Sequence, residues 1–447
     1  MRSMAPALPI ALLLSPAALA AQITVGPGVG FDFPQITDAL VAAAPGDTIL
    51  VAAGTYDGFT VTQPVSILGT GSSEVIVVRT QAGTGLRVTG IPAGQTARIS
   101  GMEVERADFF AGVNPFIEVD GCAGTVILSD LLVSNIGSFL AGEAGHASVE
   151  IADSSQVLID NSRFVGWPSP PGAALLNGVS GLHGSSSNLF LSDVTLTGGF
   201  GGAQFKNGGL GAPALDLDGC IVTAARLHAV GGGGGAFFGF DPLLSYSFPG
   251  AAGIDLTGST LTLHGGPGNL ARGGYGGSTS DIEWSSGGAG VRVDPDSFLR
   301  LAADAVVEAG DNGDGSPGPL PVQVLAGGTV QAEPFNLPTI DGDARATLGS
   351  SYALDISGSA GGVAVALLSF DPIAVVGLAT VDGSILIDPA KVVALTPVAL
   401  DGAGSGGTSL AVPADPVLTG LGFTFQSVEF GAVIPRLSNA TTAVALP

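Results

Sequence analysis

Positive charge is what this 447-residue chain most lacks. It carries 14 Lys and Arg against 38 Asp and Glu, a net charge of −24, and only two of its cations are lysines, Lys206 and Lys391. A nucleic-acid surface needs clustered cations to displace counterions, so that partner is excluded. Charged residues of either sign make up 12% of the chain while hydrophobic residues reach 46%, the reverse of a disordered composition. After the N-terminal residues, no run of about 18 apolar residues is free of Gly and Pro, so no membrane span is expected. Cysteine is confined to Cys122 and Cys220, which allows at most one disulfide.

Glycine, by contrast, is abundant. Its 71 residues sit between short apolar strands, the composition of a many-stranded all-β protein with turns of special geometry. The N-terminus reads Met1-Arg2-Ser3, an apolar run from Ala7 to Leu14, then Ala18-Leu19-Ala20, the pattern of an export signal cleaved after Ala20. A secreted mature protein beginning near Ala21 is expected.

One motif recurs at intervals of 31 to 39 residues, starting at Leu86, Ile117, Val149, Leu182, Leu215, Ile254 and Val291. Its first strand reads LRVT, IEVD, VEIA, LHGS, LDLD, IDLT and VRVD. Positions one and three are apolar and positions two and four polar or small, so each strand buries one face. A second strand follows, with Ala97/Ile99, Val126/Leu128, Val157/Ile159, Leu189/Leu191, Ile221/Thr223, Leu261/Leu263 and Leu299/Leu301 expected to point inward. Behind it comes a corner rich in Asp and Asn: Gly101, Asp130, Asn161, Asp193, Ala225, Gly265 and Ala303. A short third strand and a Gly-rich loop lead to the next repeat. One unit cannot bury its apolar face alone, but stacked units share a continuous core with coils about 4.8 Å apart. The expected fold is all-β: a right-handed parallel β-helix, residues 21–310, with an N-terminal cap. Cys122 and Cys220 occupy the same place three coils apart; a rise of roughly 14 Å is too long for a disulfide.

The segment Phe33 to Tyr56, with Ile36, Leu40 and Ala43 on one helical face and then Gly46-Asp47-Thr48-Ile49 and Gly54-Thr55-Tyr56, resembles the entry module of the pectin-lyase-like superfamily. The resemblance covers about residues 31 to 310 and implies the β-helix fold. It implies no single activity, because that superfamily includes lyases, hydrolases, esterases, adhesins and inert scaffolds. The motif sets characteristic of pectin methylesterases, polygalacturonases and pectate lyases are all missing. Lys206 and Lys391 both lie away from the acidic strand face, which disfavours a lyase.

Residues 311–344 read as a linker or as final coils. From 345 to 447, seven short strands separated by Gly, Pro and Asp suggest a β-sandwich. Its closing residues, from Val412-Pro413 through Thr424-Phe425-Gln426 to Ala440, look like a C-terminal module found on secreted bacterial proteins, notably from planctomycetes.

Outward positions of the first strand stack into two columns. The second positions give Arg87, Glu118, Glu150, His183, Asp216, Asp255 and Arg292; the fourth give Thr89, Asp120, Ala152, Ser185, Asp218, Thr257 and Asp294. Carboxylates one coil apart, at about 5 Å, approach glycosidase separations. Asp216, Asp218, Asp255 and His183 are therefore the candidate catalytic set of a polysaccharide hydrolase. The same carboxylates could hold Ca²⁺, as in a calcium-dependent adhesin, or be solvated residues on an exposed strand. Glu118 and Glu150 on this face, with Trp167, Tyr275 and Trp284 on the long loops, are candidate ligand contacts to a polysaccharide or cell-surface glycan. Absent any catalytic motif, the first reading is a secreted scaffold for polysaccharide binding or surface attachment. Outside the second strand, Arg98, Ile127, Leu158, Phe190, Val222, Thr262 and Arg300 form a partly apolar column that something should cover.

Overall fold

The computed structural model describes residues 21–79, 84–106, 115–133, 146–166, 177–202, 209–235, 247–266, 268–278, 284–370, 372–377, 382–431 and 434–446. The expected export segment, Met1 to Ala20, lies outside them. Among the described residues no helix is long and apolar enough to cross a membrane.

The chain folds as a parallel β-helix with a β-sandwich packed on its flank. Its first sheet has nine parallel strands, from Phe59–Val61 to Val322–Val324. All seven first strands lie in the sheet, in the register Arg87, Glu118, Glu150, His183, Asp216, Asp255, Arg292. Their apolar positions, such as Leu86/Val88, Ile117/Val119 and Leu215/Leu217, have no exposed surface and line one core. The stacking repeat thus sets both the core and the outward columns. A helix, Ile36–Ala42, closes the N-terminal end with Ile36 and Ala39 buried.

The second and third strands share a 16-stranded sheet. In the middle coils they run on as one strand, as in Thr125–Val133, Gln156–Val165 and Asn188–Thr197. The bend between them is a column of left-handed residues: Gly101, Asp130, Asn161, Asp193, Arg226 and Gly266, with φ from 45° to 101°. That conformation explains the Gly, Asp and Asn preference, since these residues tolerate it best. In the fifth and sixth coils it falls on Arg226 and Gly266, one position after the expected Ala225 and Gly265. The inward pair of the fifth coil is likewise Val222 and Ala224, because Val222 aligns with Leu189 and Leu261. Ile221 is 57% exposed. The outward apolar column is therefore three coils long, Ile127, Leu158 and Phe190, followed by Thr223.

Coiling continues past residue 310. Val322–Val324 and Thr329–Ala332 add a further turn to the two sheets, so this part of 311–344 is final coil. The sandwich then pairs a three-stranded sheet (Thr339–Asp341, Ser351–Ser357, Ser405–Ala411) with a six-stranded one built on Val363–Ser369, Gly422–Phe430 and Arg436–Leu446. Tyr352 and Phe425 stack across its core at 5.3 Å between centroids.

The sandwich is the cover for the apolar column: Ile127, Leu158 and Phe190 form a buried cluster with Leu386 and Ala440. Around it runs a polar seam with one tie per coil. Arg345 donates to Asp130 at 2.6 Å, the Thr442 amide to Asp160 at 2.8 Å and Asn439 Nδ2 to Ser192 Oγ at 2.8 Å. Further along, Arg226 meets Asp341 at 2.6 Å, His264 Nδ1 lies 3.0 Å from the Pro338 carbonyl, and Arg300 grips both oxygens of Asp382. Burial raises the Asp160 carboxyl to about 6 and lowers the His264 imidazole to about 4, the direction in which a dry interface disfavours each charged form. Both cysteines are free and buried. Each thiol lies 3.6 Å from the carbonyl two residues before it, that of Asp120 or Asp218.

Deleting residues 345–447 uncovers Ile127, Leu158 and Phe190. The shortened protein should bind an apolar-surface dye several-fold more than the full chain while retaining its far-ultraviolet dichroism. Unchanged dye binding would show that the sandwich is not the cover.

Candidate functional site

Strand pairing brings the candidate residues of the first sheet onto one face. His183, Asp216 and Asp255 occupy successive coils of one column, and Asp218 lies in the next column between Ser185 and Thr257. Stacked carboxylates about 4.8 Å apart repel, and the local partners answer that repulsion. Arg87 lies 3.4 Å from Glu118 and 3.6 Å from Asp120. His146 meets Glu150 at 2.7 Å and Thr84 donates to Glu118 at 3.1 Å. His183 Nδ1 is 3.1 Å from Asp216 Oδ2, a hydrogen bond that raises the imidazole above its usual range against the opposing effect of burial.

The C-terminal end of the column differs. Arg292 chelates Asp255, Nε to Oδ1 at 2.8 Å and Nη2 to Oδ2 at 2.5 Å, and its Nε lies 3.3 Å from Asp294. The Asp255 side chain is only 11% exposed. Burial lifts its carboxyl to about 6; Arg292 works against that lift, and Asp216 and Asp294 add to it. Asp255, Arg292 and Gln323 face a cavity of about 330 Å³ whose walls are the incoming arms of three successive coils, at Leu210–Pro213, Pro249–Ala252 and Ser286–Ala289. The cavity thus meets one of the four candidate catalytic residues. Neither Tyr275 nor Trp284 is among its lining residues. Trp167 lies outside the described residues.

The cavity wall is a glycine-built slab that sequence reasoning treated as loops. Outgoing arms 198–202, 231–235 and 273–277 continue the third strands in register, with Gly198, Gly231 and Gly273 donating to the next coil at Val230, Arg272 and Glu308. Incoming arms then interleave with them. Amides run Gly199 to Val179, Ala212 to Gly199, Gly232 to Ala212, Ala251 to Gly232, Gly274 to Ala251, Gly288 to Gly274 and Gly310 to Gly288, each at 2.8 to 3.0 Å. The arms are too close for side chains: a Cβ on Gly232 would lie 1.9 Å from the Gly199 carbonyl oxygen, and one on Gly274 2.0 Å from that of Gly232. The detectable signal is the recurrence of Gly-Gly-x-Gly-Gly at 198–202, 231–235 and 273–277, at the spacing of the coils.

Among the described residues no group of three or more His, Cys, Asp or Glu side chains is placed to hold a metal ion. The Asp311–Gly315 stretch uses its polar side chains locally, Asp314 accepting from the Ser316 amide and Asn312 from the Gly287 amide. These donors do not fit a Ca²⁺ centre, which requires six to eight converging oxygens.

No family model and no curated protein matches the chain. Among solved structures, the enzymatically active domain of bacteriophage CBA120 tailspike protein 2 aligns at 9% identity over 87% of this chain and 72% of its own, with a TM-score of 0.26. Full-length tailspike protein 2 from the Escherichia coli O157:H7 bacteriophage CAB120 aligns at 9% identity over 94% of this chain and 64% of its own, with a TM-score of 0.22. Similarity at that level says nothing about activity, and the fold rests on the strand topology itself.

Because the Asp255 carboxyl stands above its unfolded value of about 3.8, it takes up a proton on folding between about pH 6 and pH 4, and its contribution to stability rises as pH falls through that window. Asp255→Asn removes this contribution. The melting temperature of the variant relative to wild type should therefore be lower at pH 4.5 than at pH 7; a pH-independent difference would place the Asp255 carboxyl at its ordinary value.

Proposed function

We propose that this protein is an exported β-helix scaffold that binds polysaccharide at the cavity over Asp255 and Arg292, with binding rather than turnover as its role. The observation that carries this reading is the two-point contact between Arg292 and Asp255 beneath the cavity. A carboxylate held by a guanidinium presents acceptors and donors in a fixed geometry, suited to sugar hydroxyls. The same contact opposes proton donation by Asp255, because the adjacent cation favours the ionised form. Backbone walls of Gly, Pro and Ala leave room for a ring to approach closely. Export is inferred from the Met1–Ala20 pattern.

One observation favours a second reading as a hydrolase. The Asp255 carboxyl at about 6 stands one coil from Asp216, which is paired with His183; unequal neighbouring carboxylates can divide acid and base roles.

A panel of neutral and acidic polysaccharides, with and without calcium, separates these readings when scored for binding and for new chain ends. Binding without new ends is expected. Arg292→Met should weaken it about tenfold or more, equivalent to about 1.4 kcal/mol. New reducing ends that vanish in Asp216→Asn/Asp218→Asn would establish the hydrolase, and binding only in calcium would establish the adhesin.

A further inference from the structure

The glycine slab carries an aromatic strip on the side continuous with the third strands. Register fixes its members. Thr197, Val230 and Arg272 align across three coils, and Gly201 donates to Gly233 and Gly234 to Tyr275, so Phe200, Gly233 and Tyr275 form one column. Phe200 is 55% and Tyr275 49% exposed. The Phe200 ring lies over Gly233, with Cδ1 3.0 Å from where a Cβ on that glycine would stand. Gly233 therefore leaves the floor on which the Phe200 ring rests. Tyr275 is fixed differently, by the Arg272 guanidinium 5.1 Å from its ring centroid.

Two large aromatic side chains exposed in one column, on arms held by hydrogen bonds to their neighbours, present an amphipathic surface of the kind that meets partners. Among the described residues the strip is electrically balanced: Arg272, beside Tyr275, lies 3.4 Å from Asp311 and 3.9 Å from Glu308. Among the described residues an anionic glycan would find no free cation there. A second copy of a chain of net charge −24 would approach against repulsion. An uncharged partner with flat apolar faces suits two exposed rings beside a neutralised cation.

We propose that the Phe200–Gly233–Tyr275 strip binds an extended neutral polysaccharide, with pyranose faces stacked on the two rings. Two coils span about 10 Å, the length of a disaccharide unit in an extended chain, and the glycine between them keeps the track flat. This rests on the polysaccharide-binding reading above and adds to it a second surface, separate from the cavity.

The test is retention of the full-length protein on microcrystalline cellulose and on chitin, beside its affinity for soluble oligosaccharides. Wild type should be retained, with little loss in high salt, and Phe200→Ala/Tyr275→Ala should reduce retention at least tenfold with an unchanged melting temperature. Equal retention of the double variant, or no retention of wild type, would overturn the strip as a glycan site. Soluble-glycan binding persisting in either case would leave the cavity reading standing, and its absence would remove both. A dimer in light scattering that the double variant dissolves would instead make the strip a protein interface and overturn the proposal.

Discussion

Every coil of this protein must hand its backbone amides to the next coil about 4.8 Å away, and nearly everything else follows from that constraint. In the strands the requirement is met by parallel pairing, and the alternation of side chains then produces one apolar core and one outward acidic column. In the arms between third and first strands it is still met, but there the outgoing and incoming segments approach so closely that a Cβ on Gly232 or Gly274 would collide with a carbonyl oxygen. Glycine is required at these positions because two layers of backbone occupy the space that side chains would fill, and its conformational freedom is secondary.

The flank of the β-helix shows how the fold combines apolar and polar burial. Ile127, Leu158 and Phe190 supply the apolar patch, and each neighbouring coil contributes one polar group that finds its partner in the sandwich. Such ties orient the two parts more than they stabilise them, since a buried hydrogen bond adds only about 1 kcal/mol net while an orphaned buried group costs more. Asp160 and His264 show this most clearly: both are fully enclosed and both are displaced toward their neutral forms. Acidification between pH 6.5 and 4 therefore favours the folded state through Asp160 and disfavours it through His264, so the two contributions oppose each other.

Much of this was legible in the sequence because four-residue strands with strict alternation leave little freedom of register. The first-sheet columns, the capping helix, the free cysteines and the need for a cover over the second sheet could all be read from it. Three features could not. Ile221 outranks Val222 by bulk but is the exposed, outward-facing first residue of its strand, so hydrophobicity alone misplaced the fifth coil. The final strand, Arg436–Leu446, escaped notice because its Ser, Asn and Thr residues are buried by partners on a distant coil, a long-range effect that no local pattern records. At the site, the sequence placed Asp216, Asp218, Asp255 and His183 on one face and offered the long loops as a groove wall beside it, yet it did not indicate that Arg292 folds back onto Asp255, nor that the wall would be interleaved glycine backbone.

The acidic face and the cavity both depend on the slab being a rigid continuation of the coils. Residue-resolved hydrogen exchange tests this most directly, by following the amides of Gly199, Gly232, Gly274, Gly288 and Gly310. Protection comparable to that of the first-sheet strands at Leu215–Asp218 and Ile254–Thr257 is the predicted result. Exchange at the rate of unstructured loops would contradict it, and would remove the wall from the cavity and the floor from the aromatic strip together.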